Sequence, residues 1–463
     1  MTRRTRPEGL RPKEPPDDSS EQPPADGAIS ADAGEPQPRR ERLLATDAGP
    51  PQAVLFGVWP QGGPPEAAFE ELAGLCDTAG IEVVGTMPQT RSSPTSALYL
   101  GKGKAGELGE LCAACDATLA ICDAELTPVQ GRNLEHAIGR RVLDRSELIL
   151  AIFAARARTK QARLQVELAQ RSYQLPRLRR LWTHLDRERG GKGFLGGMGE
   201  KQIDVDRRLL EDRIHALRQR LREIEARKQR EIQSRRSQFL VSLVGYTNAG
   251  KSTLMNLLTD AGVLQEDRLF STLDTRTRRW ELGEGRFVLL SDTVGFIRDL
   301  PHQLVASFHA TLAEALEADL LLLVVDASHP HAEQRLQTVL DVLDQIGATG
   351  KDRLLVLNKI DQLDDRSSML VFHSRFPDAV AVSAKTGEGR EELITRVGQR
   401  LAAAAAEITL RVPHALSNLH SEIHALVTVL DVAYEADAAY FRVLATAGVL
   451  RRLEARGIVR ASP

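Results

Sequence analysis

Cysteine is scarce in this chain, with four in 463 residues. That excludes a disulfide scaffold, which depends on many cysteines in a short secreted sequence. No apolar run approaches the roughly 18 residues of a membrane span, so none is expected. The N-terminus, Met1-Thr2-Arg3-Arg4-Thr5-Arg6-Pro7, is basic but has no apolar stretch behind it, which argues against a signal peptide. The expected location is the cytoplasm, with a peripheral association with the membrane left open. Residues 1–50 contain no Val, Phe, Tyr or Trp and hold nine of the 22 prolines. Such a segment cannot bury enough apolar surface to offset its ordering entropy and reads as a disordered tail. The hydrophobic fraction, 42%, is slightly below the globular average, as expected if part of the length lies outside any core.

Net charge is also nearly absent, at -2, but it is unevenly spread. Between Arg156 and Arg236 there are 23 Lys+Arg against 11 Asp+Glu. A local basic block in a near-neutral chain points to a polyanion partner at that place.

The length suggests about three or four domains. Residues 51–150 alternate strand and helix patterns: strands at Ala53–Trp59, Ile81–Thr86, Ala117–Cys122 and Arg141–Leu143, and helices at Pro64–Ala79, Ala105–Cys115 and Pro128–Ile138. Repeated βα units imply a parallel sheet. Residues 151–236 read as an antiparallel helical hairpin. Leu210, Ile214, Leu217, Leu221 and Ile224 form a coiled-coil seam, and Leu164, Leu168, Leu175, Leu178, Leu181 and Leu185 can face it. Between them, Gly190 to Gly199 is too Gly-rich for a helix. It reads either as a basic hairpin tip or as a plain linker. Residues 238–402 form a second α/β unit, with strands at Phe239–Val244, Phe287–Leu290, Leu320–Val325, Leu354–Leu357 and Val380–Val382. Residues 408–463 form a small C-terminal α/β module, with helices at Ala415–Leu430 and Leu450–Arg456 around a strand at Phe441–Leu444. The fold class is therefore multidomain α/β, and a monomer is expected.

The second α/β unit carries the chemistry. Gly245-Tyr246-Thr247-Asn248-Ala249-Gly250-Lys251-Ser252-Thr253 is a Gly-x4-Gly-Lys-Ser loop between a buried strand and a helix. Loop amides can cradle polyphosphate, Lys251 can reach the β and γ phosphates, and Ser252 can ligate Mg²⁺. Asp292-Thr293-Val294-Gly295 follows a strand; Asp292 can hold Mg²⁺ through water, and the Gly295 amide can sense the γ-phosphate. Between the two, Phe270-Ser271-Thr272-Leu273-Asp274 offers Thr272 as a switch residue that closes on Mg²⁺. Asn358-Lys359-Ile360-Asp361 follows a later strand. Asp361 can accept from the guanine N1–H and exocyclic amine, a donor pair adenine lacks, while Lys359 packs along the base. In Ser383-Ala384-Lys385 the Ala384 amide can reach the guanine O6. Each motif alone is weak, but the ordered set, each at a strand end, predicts a P-loop G domain that binds GTP or GDP with Mg²⁺. Lys251, Thr272 and Gly295 are the expected catalytic groups.

Phe296 stands where Ras-like GTPases carry a water-orienting Gln, and it cannot polarise water, so slow intrinsic hydrolysis is expected unless another group or a partner completes the site. Asn248 has two readings: a ligand for K⁺ standing in for an arginine finger, or a loop-stabilising amide. Cys112, Cys115, Cys122 and Cys76 lack a zinc-ligand pattern and read as small core residues. His302, His309, His329 and His331 read as packing or solvent-exposed residues, with His302 or His309, after Phe296, as the alternative catalytic candidates.

The chain resembles the HflX family of translational GTPases over about residues 53–402. The resemblance rests on the 245–253, 270–274 and 292–297 segments. Outside the G domain it rests on Leu126-Thr-Pro-Val-Gln-Gly-Arg-Asn-Leu134, Leu164-Gln-Val-Glu-Leu168, and the Gly-rich stretch ending in Gly199-Glu200 before Asp206-Arg207-Arg208. It implies a GTPase that binds the large ribosomal subunit, with the N-terminal domain and residues 151–236 against ribosomal RNA and the tip near the peptidyl-transferase centre. It further implies splitting or rescue of stalled ribosomes under stress, and an ATP contact at the Gly101-Lys102-Gly103-Lys104 loop, which reads otherwise as a βα loop made basic for RNA phosphate. Two departures stand out. Leu195-Gly196-Gly197-Met198 replaces a tip with Arg and Pro, and the 1–50 tail is not a family requirement. The rival readings are a regulatory GTPase acting on a protein partner and a GTP-switched RNA-remodelling factor.

Overall fold

The computed structural model describes residues 50–60, 69–178, 198–235, 238–259, 270, 276–283, 286–299, 301, 304, 316–445 and 447–461. Residues 1–49 of the expected tail, Thr272, His302, His309, Leu181, Leu185 and Gly190–Gly197 lie outside the described residues.

Three sheets organise the chain. The first contains β1 (Gln52–Trp59), β2 (Glu82–Thr90), β3 (Leu119–Cys122) and β4 (Arg141–Asp144), in the order β2-β1-β3-β4. All its pairings are parallel, as the βα repeats require. Helices α1 (Glu70–Ala79), α2 (Lys102–Ala114) and α3 (Pro128–Ile138) are the crossovers, and α4 (Arg145–Arg156) follows β4.

The family-like stretch at Leu126 has a structural explanation. Thr127 caps α3 in a reciprocal capping box with Gln130, and Pro128 sits in the first turn where its missing N–H is not needed. Gln130 Nε2 then donates to Thr95 O at 2.8 Å and Asn133 Nδ2 to Ala97 O at 2.9 Å, pinning the loop that precedes α2. The Gly101–Lys104 segment differs from expectation. Gly101 is the N-cap, and Lys102 and Lys104 lie in the first turn of α2, where their charges oppose the helix dipole.

Helix α5 (Lys160–Gln174) packs against α6 (Met198–Arg235) through Leu164, Leu168, Ile214, Leu217 and Leu221, with Leu175 and Ile224 alongside. Arg213 Nε and Glu167 Oε1 pair across this seam at 2.9 Å. Met198 and Gly199, expected to be part of the Gly-rich tip, already belong to α6.

The second sheet has the order β10-β9-β8-β5-β7-β6. Its strands are β5 (Leu240–Gly245), β6 (Arg276–Gly283), β7 (Arg286–Asp292), β8 (Leu320–Asp326), β9 (Asp352–Asn358) and β10 (Val380–Ala381). Only β6 runs antiparallel, at the edge, and it was not among the expected strands. Its sequence, RTRRWELG, exposes most of its residues and so carries no apolar run. Helices α7 (Lys251–Thr259), α8 (Ala332–Gln345), α9 (Met369–Arg375) and α10 (Arg390–Ala404) belong to this unit.

Strand β8, LLLLVVD, is covered on both faces. Leu321, Leu323 and Val325 enter one core, and Leu320, Leu322 and Val324 enter another. The first of these cores also receives Ala53, Leu55, Ile121 and Leu143 from the first sheet, with Leu72, Leu75, Ile149 and Phe153 from its helices. The two α/β units thus share one apolar core.

The C-terminal part is more strand-rich than expected. Strands β11 (Ala406–Pro413), β12 (Thr428–Tyr434), β13 (Ala438–Ala445) and β14 (Val459–Arg460) form an antiparallel sheet in the order β12-β13-β11-β14. Helices α11 (His420–Leu426) and α12 (Ala447–Glu454) complete it. The helix expected to run to Leu430 ends at Leu426, and Thr428–Tyr434 pairs with β13 instead.

Candidate nucleotide-binding site

The site forms at the carboxyl ends of β5, β7, β8 and β9. These are the positions where an open α/β sheet binds its ligand. Residues 246–250 connect β5 to α7. Gly250 takes φ +88°, and a Cβ there would lie 2.2 Å from Asn358 Nδ2, so glycine is required by both backbone and space.

Lys251 is buried and donates from Nζ to Gly245 O at 3.1 Å and Tyr246 O at 2.8 Å. Burial pushes its ammonium down to about 8, with Asp292 opposing the shift. A Cβ on Gly295 would meet Lys251 Nζ at 3.0 Å and Thr247 Cγ2 at 2.9 Å, so the Gly295 backbone lies directly beside the loop. The loop and the 293–296 segment are also joined by backbone bonds, Thr247 N to Phe296 O at 2.7 Å and Phe296 N to Gly245 O at 3.0 Å.

Ser252 Oγ donates to Asp292 Oδ2 at 2.8 Å. A hydroxyl and a buried carboxylate beside a phosphate loop are hard oxygen donors of the kind Mg²⁺ takes, so these residues fit that ion. Ser252 and Asp292 would hold the ion, whose charge would offset the negative charge that develops on the phosphates.

Asn358 ties the base-side motifs to the phosphate loop. Its Nδ2 donates to Ala249 O at 2.9 Å, and its Oδ1 accepts from Ala384 N at 2.9 Å. Ser383 Oγ donates to Asp361 Oδ1 at 2.7 Å, and Thr386 N donates to Ser383 Oγ at 3.1 Å. Lys359, at φ +63°, pairs with Asp326 Oδ2 at 2.7 Å. Asp326 was not among the expected site residues. Its signal was present, because it is the acid that closes the apolar run of β8. Lys385 and Asn248 are exposed, and Thr253 lies half-buried in the first turn of α7.

Some expected residues are committed elsewhere. Thr293 Oγ1 donates to Leu243 O at 2.6 Å, Val294 is buried in the shared core, and the Phe270 ring packs 4.6 Å from Phe153 of α4. Any nucleotide contact at Phe270 therefore falls to its backbone. The Phe296 ring is buried in the same core.

Tyr246 also points away from the loop. Its hydroxyl donates to Glu71 and accepts from Arg298 N at 2.8 Å. Around it, Arg145 donates to Glu71, to Asp123 Oδ1 at 2.9 Å and to Arg298 O at 3.1 Å, while Arg298 Nη2 reaches Asp123 Oδ2 at 2.8 Å. Burial pushes Asp123 up to about 6 against the opposing Arg298, and lowers Arg145 to about 10. This polar cluster joins the first sheet to both the phosphate loop and the segment after Gly295. Sequence reasoning missed it, although Asp123 and Arg145 each directly follow a short apolar strand.

A phosphate loop, a bonded Ser–Asp pair of a kind that fits Mg²⁺ and a strapped Asn-Lys-x-Asp motif on this sheet define a GTP-hydrolysing P-loop GTPase. Residues 240–359 match the family model described as 50S ribosome-binding GTPase, and 66–154 and 156–236 match the GTP-binding GTPase N-terminal and Middle Region models. A GTPase HflX of Magnetococcus marinus is 45% identical over 83% of this chain and 89% of its own length. The Escherichia coli GTPase HflX is 42% identical over 83% of this chain and 91% of its own. A GTP-binding protein from Sulfolobus solfataricus, solved with GDP, aligns at TM-score 0.41 and 27% identity over 76% of this chain and 98% of that one. The chain belongs to the HflX family of GTPases.

Proposed function

We propose that this GTPase acts on the large ribosomal subunit and uses GTP to split or rescue stalled ribosomes under stress. The observation that carries the reading is the basic block over residues 156–236. On α6, Arg207, Arg208, Arg218, Arg220, Arg222 and Arg227 are all exposed, and the block's excess of positive charge fits RNA phosphate better than a protein coiled-coil partner. The family description of residues 240–359 supports the same partner.

In this reading, Lys251 meets the β and γ phosphates. Ser252, Asp292 and Thr272 hold Mg²⁺, and the Gly295 amide reports the γ-phosphate. Asp361 and the Ala384 amide select guanine, Lys359 lies along the base, and Asn248 holds K⁺. GTP favours the ribosome-bound state and hydrolysis releases it.

The test is sedimentation with ribosomes in GTP, GDP and a non-hydrolysable analogue. Binding to the large subunit should depend on the nucleotide and fall steeply with salt. Binding that ignores the nucleotide would sink the proposal. Equal turnover in K⁺ and Na⁺ would remove the cation role of Asn248.

A further inference from the structure

Tyr246 is the second residue of the phosphate loop, yet it is buried and its hydroxyl lies in the contact between the two α/β units. The hydroxyl accepts from Arg298 N at 2.8 Å and donates to Glu71 of α1. Burial raises its pKa against the Arg298 bond, so it stays a neutral hydroxyl that can do both.

The bond to Arg298 N reinforces a junction between the phosphate loop and the segment after Gly295. Phe296 N donates to Gly245 O at 3.0 Å, and Thr247 N donates to Phe296 O at 2.7 Å. Side chains fix the same segment, because Phe296 and Ile297 are both buried in the shared core. Gly295 stands at the head of this junction, so close to the loop that a Cβ on it would meet Lys251 Nζ at 3.0 Å. The two backbone bonds do not depend on side-chain identity. The Tyr246 bond does, and it also ties the junction to the first unit through Glu71.

We propose that Tyr246 is a positioning residue for GTP recognition and hydrolysis. Its hydroxyl, anchored on Glu71, holds the segment after Gly295 against the phosphate loop, so that the Gly295 amide is set for the γ-phosphate before the nucleotide arrives. This rests on the reading of Lys251 and Gly295 given above. A segment that is already held needs no ordering at the expense of binding energy. With Phe296 unable to orient water, hydrolysis depends all the more on how well the groups around the phosphate are placed. GDP has no γ-phosphate and gains nothing from the placement of Gly295, so the effect falls on GTP alone.

The experiment compares Tyr246→Phe with Asp123→Asn in the full chain, without ribosomes. Phe keeps the ring and its contact with Arg335 at 5.0 Å, and removes the hydroxyl. Asp123→Asn weakens the same contact between the units, at Arg145 and Arg298, and leaves the hydroxyl in place. Affinities for GDP and a non-hydrolysable GTP analogue, single-turnover hydrolysis and Tm are measured with Mg²⁺. Tyr246→Phe should weaken binding of the GTP analogue by about fivefold or more and slow hydrolysis by about tenfold, with GDP affinity within about twofold of wild type. Asp123→Asn should lower Tm and leave the ratio of GTP to GDP affinity unchanged.

The rival account is that the hydroxyl only packs the contact between the units. In that case Tyr246→Phe lowers Tm and either changes GTP and GDP affinity equally or changes neither, and the proposal is overturned. An equal loss of the ratio in Asp123→Asn overturns it as well, because looseness of the contact, not the hydroxyl, would then displace Gly295. Lys251→Ala separates the levels. If that variant still binds and hydrolyses GTP, the underlying site reading has failed, not the Tyr246 role alone.

Discussion

Gly250 shows how little freedom the phosphate loop has at the level of one residue. Its positive φ and its approach to Asn358 mean that Gly250→Ala must strain the backbone and displace the amide that bridges Ala249 to Ala384. The backbone cost alone is about 1–3 kcal/mol. Affinity for both GTP and GDP should fall by about tenfold or more, read by nucleotide titration; an unchanged affinity would contradict the strap.

Asp144 makes a pH prediction. It is fully buried, accepting from Glu147 N at 2.8 Å, Leu126 N at 3.1 Å and Tyr173 Oη at 2.7 Å. Burial, with Glu147 adding to it, raises its carboxyl from 3.8 to about 6, against Arg177. The folded state therefore holds this proton more tightly than the unfolded chain. Its contribution to stability is complete below the unfolded value and declines as pH rises to about 6. In Asp144→Asn that decline should be absent, so the Tm difference between wild type and variant should be larger near pH 4.5 than at pH 7. A difference that does not change with pH would rule out this titration.

Between elements, the decisive feature is the polar cluster where α1, β3 and α4 meet the phosphate loop. Arg145 is 1% exposed and bonds Glu71, Asp123 and the Arg298 carbonyl. Arg145→Met keeps the volume but removes the guanidinium that Glu71 and Asp123 share, leaving Asp123 with Arg298 and Glu71 with the Tyr246 hydroxyl. Removing one partner of such a set costs about 3–5 kcal/mol, against a far smaller effect for an exposed pair. Denaturant unfolding should show that loss, and adding Asp123→Asn should restore part of it because the two sites share partners. A loss below 1 kcal/mol would mean the cluster is screened like a surface pair.

The α5–α6 seam was readable from its 4-3 spacing, and Leu217 and Leu221 are buried there as the period requires. Strands β6 and β12 were not readable. Each pairs along a sheet edge and takes its stability from a neighbouring strand, so neither needs an apolar run of its own.

At the scale of the molecule, two α/β units that look independent along the chain share a core. Leu321, Leu323 and Leu336 belong to the same apolar cluster as Leu72, Ile149 and Phe153. The C-terminal sheet has a core of its own, including Leu410, Ile423, Phe441 and Leu453. Calorimetry should therefore show the two α/β units melting in one transition that shifts upward with GDP by linkage, and the C-terminal sheet melting apart from it. Separate peaks for the first two units would show that the shared core is not cooperative.

Sequence alone determined the nucleotide chemistry. The phosphate loop, Asp292, Asn358–Asp361 and Ser383–Lys385 are short contiguous runs at strand ends, so the GTPase class was legible without any long-range contact. The chain's membership of its family was legible for the same reason. Tertiary structure alone decided where Tyr246, Phe270 and Phe296 are used. They stand in or beside nucleotide motifs, yet the structure spends their side chains on the other α/β unit and the core shared with it. The bond from Tyr246 to Glu71 spans 175 positions. No local period or motif records a contact at that separation, because it exists only once the two α/β units have packed together.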